Sequence, residues 1–337
     1  MKISILDQSP IRKGGTSQDA LQETLELAKL AEKLGYTRFW VSEHHNTNVL
    51  AGSAPEVLLA AIGAATSKIR IGSGGVMLPH YSAFKVAEAF SLLATLYPDR
   101  IDLGIGRAPG SDMETARILA TDGRPKFERF PILVEQLDQM LHDRSFRPKI
   151  TPVPPVAPTT WMLGSSQDSA ILAAERGLPY NFAYFINNRM VPALFAYYRN
   201  NFKPSEQLAQ PKTMLTMNVI VAETYERAFN LALSRTLPFL FRATGQKIEG
   251  IVSPEEAAEY PYTAQEWAFV EDRLRTAAIG TPEQVKGIIE NVAREWETDE
   301  IMTVTITYDF AERIRSYEML AEVFELESDN MVVSQPA

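Results

Sequence analysis

The sequence predicts an α/β fold, a (β/α)8 barrel of the TIM type, and three observations carry that reading. Short runs rich in β-branched residues, apolar on both faces, alternate with longer segments of helical spacing. Strands apolar on both faces need cover on both sides, which a parallel sheet flanked by helices provides; antiparallel strands would be joined by tight turns instead. The strand–helix units number eight, which suits a closed barrel. On pattern alone, a doubly wound open sheet is the competing architecture.

Lys2–Ser9 is the first strand. The helix expected over Gln18–Gly35 puts Leu21, Leu25 and Ala28 on one face, and Gly35 suits its stop. Arg38–His45 is the second strand, and Ser53, with Glu56 three residues on, has capping-box spacing for a helix over Pro55–Thr66. Ile69–Leu78 is the third strand, followed by a helix from Ser82 to Tyr97. Arg100–Gly106 is the fourth, with its helix at Phe127–Leu141. The second half expects strands at Thr160–Ser165, Tyr180–Phe185, Met214–Val221 and Met302–Thr307. Its helices fall at Asp168–Arg176, Asn188–Phe202, Tyr225–Leu237 and Ala311–Leu326, and another opens at Thr281-Pro282-Glu283-Gln284.

Two stretches break the repeat. Lys149–Thr159 has four prolines and reads as an extended connector within one domain. Ala243–Ala278 is an insertion before the last helix–strand unit, with capped turns at Ser253 and Thr263, and serves either as a lid or as a packing ornament. The expected organisation is a single domain over residues 1–327 and a frayed polar tail over 328–337.

With 33 Lys+Arg against 42 Asp+Glu in 337 residues, the net charge is −9. Such a chain lacks the basic cluster that releases phosphate counterions, which excludes nucleic acid and anionic membranes as partners. The absence of cysteine excludes disulfides, a thiol nucleophile, zinc–thiolate sites and iron–sulfur clusters. No stretch approaches the ~18 apolar residues of a membrane span. Asp7 interrupts the first apolar run too early for a signal peptide. The expectation is a soluble, cytoplasmic protein.

In a parallel barrel the chemistry sits where strands exit into helices. These exits hold no lysine for a Schiff base and no clustered His and carboxylates, so no metal site is expected. So few acid–base groups point to a bound cofactor. Alternation along a strand would send His44 and His45 to opposite faces, so at most one imidazole looks into the mouth. That one serves as acid, base or donor, or is a plain core histidine. His80 lies in reach of the same rim, and His142 ends a helix. Gly72-Ser73-Gly74-Gly75 inside an apolar strand marks either a bulge or the close approach of a planar ligand to bare backbone. Arg107, just past a strand, suits phosphate oxygens or a rim ion pair with Asp112 or Glu114. Leu163-Gly164-Ser165-Ser166-Gln167-Asp168-Ser169 runs from strand through a Gly/Ser turn into a helix start. It forms a phosphate seat, or else simple capping by Ser166.

The strings WVSEHH, IRIGSGGVMLPH, YPDRIDLGIGRAPGSD, WMLGSS and AAERGLP, in this order, resemble the bacterial luciferase-like flavin-dependent monooxygenases, closest to their single-chain branch. The resemblance spans Lys2 to about Glu327. It implies a TIM barrel that takes reduced FMN from a separate flavin reductase, activates O2 and oxidises a small organic substrate such as an aldehyde. By position, His44 matches the catalytic histidine, and Gly74-Gly75 a cis peptide against the isoalloxazine. Arg107, Ser165, Ser166 and Ser169 fall in the stretches matching the FMN phosphate site, and Ala243–Ala278 matches a mobile lid that excludes water. A homodimer is implied in the same way. Gly106 stands where light-emitting members carry cysteine, and no bioluminescence is expected.

Other readings are a deazaflavin-dependent hydride-transfer enzyme on the same barrel, a flavin-binding protein without turnover, and a metal-free aldolase or isomerase barrel. Trp40, Met77, Trp161, Tyr184, Phe185 and Trp267 build either an apolar substrate pocket or plain core.

Overall fold

A computed structural model describes residues 1–120 and 122–327, and the expected tail over 328–337 lies outside them. Nine strands run in chain order: β1 (Lys2–Asp7), β2 (Arg38–Val41), β3 (Arg70–Met77), β4 (Ile101–Gly106), β5 (Thr159–Gly164), β6 (Tyr180–Ala183), β7 (Thr213–Val221), β8 (Ala278–Gly280) and β9 (Glu300–Val304). Strands β1 to β6 pair in sequence order, β6 pairs β7, β7 pairs β9, and β9 returns to β1. Every pairing is parallel. The result is the closed eight-stranded barrel that the sequence predicts. β8 is an addition outside it, lying beside the far end of β7 through Val219–Val221.

Alternation along the strands sorts the side chains into two layers. Ile3, Ile5, Phe39, Ile71, Leu103 and Ile105 pack outward against the helices. Leu6, Trp40, Trp161, Met214, Met302 and Val304 fill the interior. Each such large side chain contributes about 1.5–3 kcal/mol when fully buried. The indoles of Trp40 and Trp161 meet edge to face at 5.5 Å and have no exposure, so they are core and not pocket wall.

The amino-terminal end of the barrel is closed by buried charge. Arg38 donates to Glu300 Oε1 at 2.6 Å and to Asp102 Oδ2 at 2.7 Å. Arg70 donates to Asp102 Oδ1 at 2.6 Å, the Trp40 indole to Asp102 Oδ2 at 3.0 Å, and Ser4 to Glu300 Oε1 at 2.6 Å. Two arginines meet two carboxylates with both acids fully bonded, the condition under which buried ions are tolerated.

The helices are α1 (Ser17–Lys33), α2 (Pro55–Ala65), α3 (Ala83–Leu96), α4 (Met113–Leu119), α5 (Phe130–His142), α6 (Gln167–Arg176), α7 (Ala193–Asn200), α8 (Tyr225–Thr244), α9 (Pro254–Glu259), α10 (Ala264–Leu274), α11 (Pro282–Trp296) and α12 (Phe310–Val323). Several differ from the sequence reading. The N-cap of α2 is Ala54, not Ser53, and no side chain bonds there. The short α4, capped by Asp112, had no expected counterpart. α7 begins at Ala193 instead of Asn188.

α8 continues past Leu237 through Pro238 to Thr244. A proline inside a helix costs about 3 kcal/mol, but Leu237 and Leu240 pack with Val252, Ala257 and Val270, and that burial offsets it. The insertion expected over Ala243–Ala278 therefore begins at the end of α8 and continues as α9 and α10 up to β8, packed against α8. Ser253 caps α9, and Thr263 with Glu266 forms the capping box of α10.

Candidate functional site

The strand exits share one rim, and two cavities open there. The first, about 640 Å³, is lined by Gly74, Gly75, Arg107, Ser165, Ser166 and Ser169, together with apolar residues such as Leu6 and Met77. The second, about 610 Å³, is lined by His44, His45, Arg235, Phe239, Arg242 and Arg273. Phe185 and Ile186 belong to both, so the cavities adjoin. Each falls in the ~300–1,000 Å³ range of ligand sites. Six of the seven expected site residues thus gather in one cavity, and the seventh, His44, stands in its neighbour.

In the first cavity, the Gly74–Gly75 peptide is cis. The register of β3 against β4 shifts between Gly74 and Val76, so the bulge and the bare-backbone lining coexist. A side chain would be crowded at Gly74 and is excluded by backbone at Gly75. A Cβ on Gly74 would sit 2.6 Å from Leu6 Cδ1, and one on Gly75 would sit 2.7 Å from the Gly104 carbonyl oxygen and 2.5 Å from Leu163 Cδ1. The backbone therefore meets the cavity directly.

Across from it, Ser166 occupies the N-cap of α6, but its hydroxyl makes no cap hydrogen bond. The simple-capping reading of this serine does not hold. The first-turn N–H groups of α6 and the Ser166 hydroxyl remain available to an anion. Ser169 is otherwise engaged: it donates to the Ser166 carbonyl at 2.6 Å and shares a 3.0 Å hydrogen bond with the Tyr180 hydroxyl. Gly164 makes room for it, since a Cβ there would overlap Ser169. Ser169 braces the turn. The Ser165 carbonyl accepts from Asn187 at 2.7 Å.

The ion pair foreseen for Arg107 with Asp112 or Glu114 is not formed. Arg107 lies 3.4 Å from Asp168 of α6, with both side chains half or more exposed. Such a pair holds weakly and leaves the guanidinium free to turn to an anion. Asp112 is occupied instead by the Thr115 amide at 2.9 Å and by Asn46 at 2.8 Å.

The second cavity corrects the strand-alternation argument. β2 ends at Val41, so His44 and His45 lie in the exit loop, and both line the same cavity. Their amides are tied to neighbouring loops, His44 N–H to Gly52 O at 2.8 Å and His45 N–H to Gly110 O at 3.0 Å. His44 Nδ1 shares a 2.9 Å hydrogen bond with the Ser42 hydroxyl. Desolvation pushes the His44 pKa down to about 4, with Glu43 opposing and His45 and Arg242 adding to the fall. The imidazole is neutral at pH 7, with Nε2 left as its working atom.

Behind it, buried Glu43 accepts from the Met77 amide at 3.0 Å, the Tyr81 hydroxyl at 2.7 Å and His45 Nε2 at 2.9 Å. It fixes the exits of β2 and β3 to one another. His80 does not reach the rim cavities. It is buried beside Phe127, with Nε2 2.8 Å from the Pro109 carbonyl.

Of the aromatic pocket candidates, Met77 and Phe185 line the first cavity. Tyr184 packs on Phe182 and Trp296, and Trp267 on Tyr262, away from either cavity. The sequence reading missed three arginines. Arg235 and Arg242 sit on α8 seven residues apart, on one helical face, and Arg273 sits on α10. The spacing was visible, but a helix ended at Leu237 cuts that face in two.

A barrel with paired ligand cavities at its strand exits is a frame for small-molecule chemistry, and comparison with known proteins gives it a class, an oxidoreductase. The chain belongs to the luciferase-like monooxygenase family, whose profile matches residues 1–299. It is 38% identical over 325 residues to a luciferase-like monooxygenase of Escherichia coli K12, covering 96% of each chain. It is 35% identical to an N-acetyl-S-alkylcysteine monooxygenase of Bacillus subtilis, covering 96% of this chain and 98% of that one. Among solved structures, apo-MsnO8 superposes with a TM-score of 0.91 at 37% identity, covering 97% and 99%. A 3,6-diketocamphane monooxygenase component from Pseudomonas putida in complex with FMN (TM-score 0.69, 17% identity, covering 96% and 97%) and an F420-dependent secondary alcohol dehydrogenase (0.65, 15%, covering 97% and 99%) share the fold alone.

Proposed function

We propose that the protein is a monooxygenase that uses reduced FMN and O2 to oxidise a small organic substrate, with the flavin delivered by a separate reductase. The observation that carries this is the pairing of a bare-backbone wall with an anion seat in one cavity, next to a neutral histidine in the adjoining one. Arg107, the Ser166 hydroxyl and the amino end of α6 would hold the FMN phosphate, since a guanidinium and unbonded N–H groups suit a dianion. Gly74–Gly75, which no side chain covers, would lie against the flavin ring. Ser165 and Ser169 hold the shape of the turn beneath the phosphate.

When bound, reduced FMN supplies the electrons that activate O2 for transfer of one oxygen atom. The chain's own part is to position, to shield and to move protons. His44, held by Ser42 at Nδ1, would hydrogen-bond the reacting oxygen through Nε2 or accept a proton released there, a task suited to an imidazole that is neutral at rest. The apolar lining and the α8–α10 insertion would keep water out. We also place the protein in the cytoplasm as a homodimer.

The test is the reoxidation of reduced FMN by O2 in stopped flow, with and without protein. The expected result is a saturable change in reoxidation rate with protein concentration, and an Arg107→Ala variant needing about 10- to 100-fold more flavin to saturate, the effect of one charge-assisted hydrogen bond. Reoxidation indifferent to the protein, or hydride transfer from a reduced deazaflavin with no O2 uptake, would overturn it.

A further inference from the structure

The second cavity holds positive charge that no ion pair among the described residues neutralises. Arg235, Phe239 and Arg242 share a face of α8, and Arg273 approaches from α10. Arg235 is only 5% exposed, and its Nε is buried with no hydrogen-bond partner. The guanidinium carbons of Arg235 and Arg273 lie 5.4 and 4.9 Å from the ring centre of Phe239, which holds both beside one aromatic ring. Among the described residues, none of the three arginines has an ion pair.

Asp112 is the one carboxylate on the lining, and the Thr115 amide and hydroxyl and Asn46 already bond it. Burial, with Arg273 adding to it, brings the Arg235 pKa down to about 10, so it remains charged at neutral pH. A buried guanidinium without a counter-ion is unfavourable unless something supplies one. Neutral polar side chains such as Gln8, Asn46 and Thr47 also line the cavity, and its apolar wall includes Ile251, Ile306 and the Phe185 and Ile186 shared with the first cavity.

Building on the reading of the first cavity as the flavin's, we propose that this adjoining one is the substrate's and binds a small carboxylate with an apolar body, the carboxylate on Arg235 and Arg273 and the body directed along Phe185 and Ile186 toward the flavin cavity. Arg242 adds to the attracting field. The planar fork of a guanidinium matches a carboxylate two bonds at a time, and the aromatic face pre-orients it. His44 shares the cavity, so a substrate anchored this way sits between the arginines and the proposed oxygen chemistry.

The test uses hexanoate against hexanamide, followed by thermal shift and by titration of tryptophan fluorescence. Millimolar hexanoate should raise Tm while hexanamide of the same length does not. Arg235→Leu should abolish the hexanoate shift and, because it removes an unpaired buried charge, should itself keep or raise the Tm of the free protein. Arg273→Gln, at a more exposed position, should weaken hexanoate about tenfold or more without touching the core.

Arg107→Ala should retain the hexanoate shift while binding FMN about 10- to 100-fold more weakly, and Arg235→Leu should retain FMN at wild-type affinity. That cross-pattern separates failure of this inference from failure of the flavin reading. Equal binding of hexanoate and hexanamide, or hexanoate binding that survives Arg235→Leu and Arg273→Gln, would overturn the inference.

Discussion

Two ends of one barrel bury arginine in opposite ways. At the amino-terminal end, Arg38 is matched against Asp102 and Glu300 with distances of 2.6–2.7 Å, and Arg70 against Asp102 at 2.6 Å. At the carboxyl-terminal rim, Arg235 is almost as buried, yet its Nε meets no partner. The same residue type, similarly desolvated, is structural where the chain provides the acid and receptive where it does not. Matched charge closes the barrel, and unmatched charge marks where an outside group belongs.

The contrast is sharpest in mutants. Asp102→Ala removes the shared partner of Arg38, Arg70 and the Trp40 indole, leaving half-buried Arg70 without its carboxylate and buried Arg38 with Glu300 alone. The expected loss is about 3–5 kcal/mol of unfolding free energy, measured by urea denaturation. Arg235→Leu at the other end should cost nothing or stabilise. If both substitutions destabilised equally, the division between closed and receptive ends would fail.

Gly75→Ala probes the rim without touching charge. Its Cβ would press on the Gly104 carbonyl and on Leu163, overpacking of a kind that costs about 1–3 kcal/mol. FMN titration should show weakened binding with the barrel still folded. Unchanged flavin affinity would remove the bare backbone from the cofactor wall.

His44→Gln gives the smallest effect and a defined sign. Folding lowers the His44 pKa from 6.5 to about 4, so the unfolded chain takes up this proton first as pH falls. Stability is therefore full above about 6.5 and declines toward about 4. The wild type should lose denaturation midpoint relative to His44→Gln across that window, modestly because the ring keeps some exposure. Parallel profiles would mean that His44 is not desolvated as described.

Much of this was legible in the sequence, and what was not has identifiable physical causes. The alternation of two-faced strands with helices gave the closed barrel, and the Gly/Ser exits pointed to Gly74, Gly75 and Ser166, because glycine in an apolar strand and a serine before a helix are local signals. Arg107 was flagged, but its partner Asp168 lies 61 residues away, a relation no local pattern carries. Pro238 hid the length of α8, since helix-breaking is a local rule and the packing of Leu237 and Leu240 that overrides it is tertiary. With the helix cut there, Arg235 and Arg242 did not share a face. The pairing of Arg38 with Glu300 spans 262 residues and was equally invisible. His44 and His45 were separated by strand alternation that stops at Val41, before it could apply.

A crystal structure of the protein with FMN, grown under reducing conditions, tests the assignment of the two cavities most directly. The account predicts the phosphate within hydrogen-bond distance of Arg107 and Ser166, the ring against Gly74–Gly75, and the arginine cavity left open beside it. FMN with its phosphate on Arg235 and Arg273, or no flavin at the rim under saturating conditions, would contradict it.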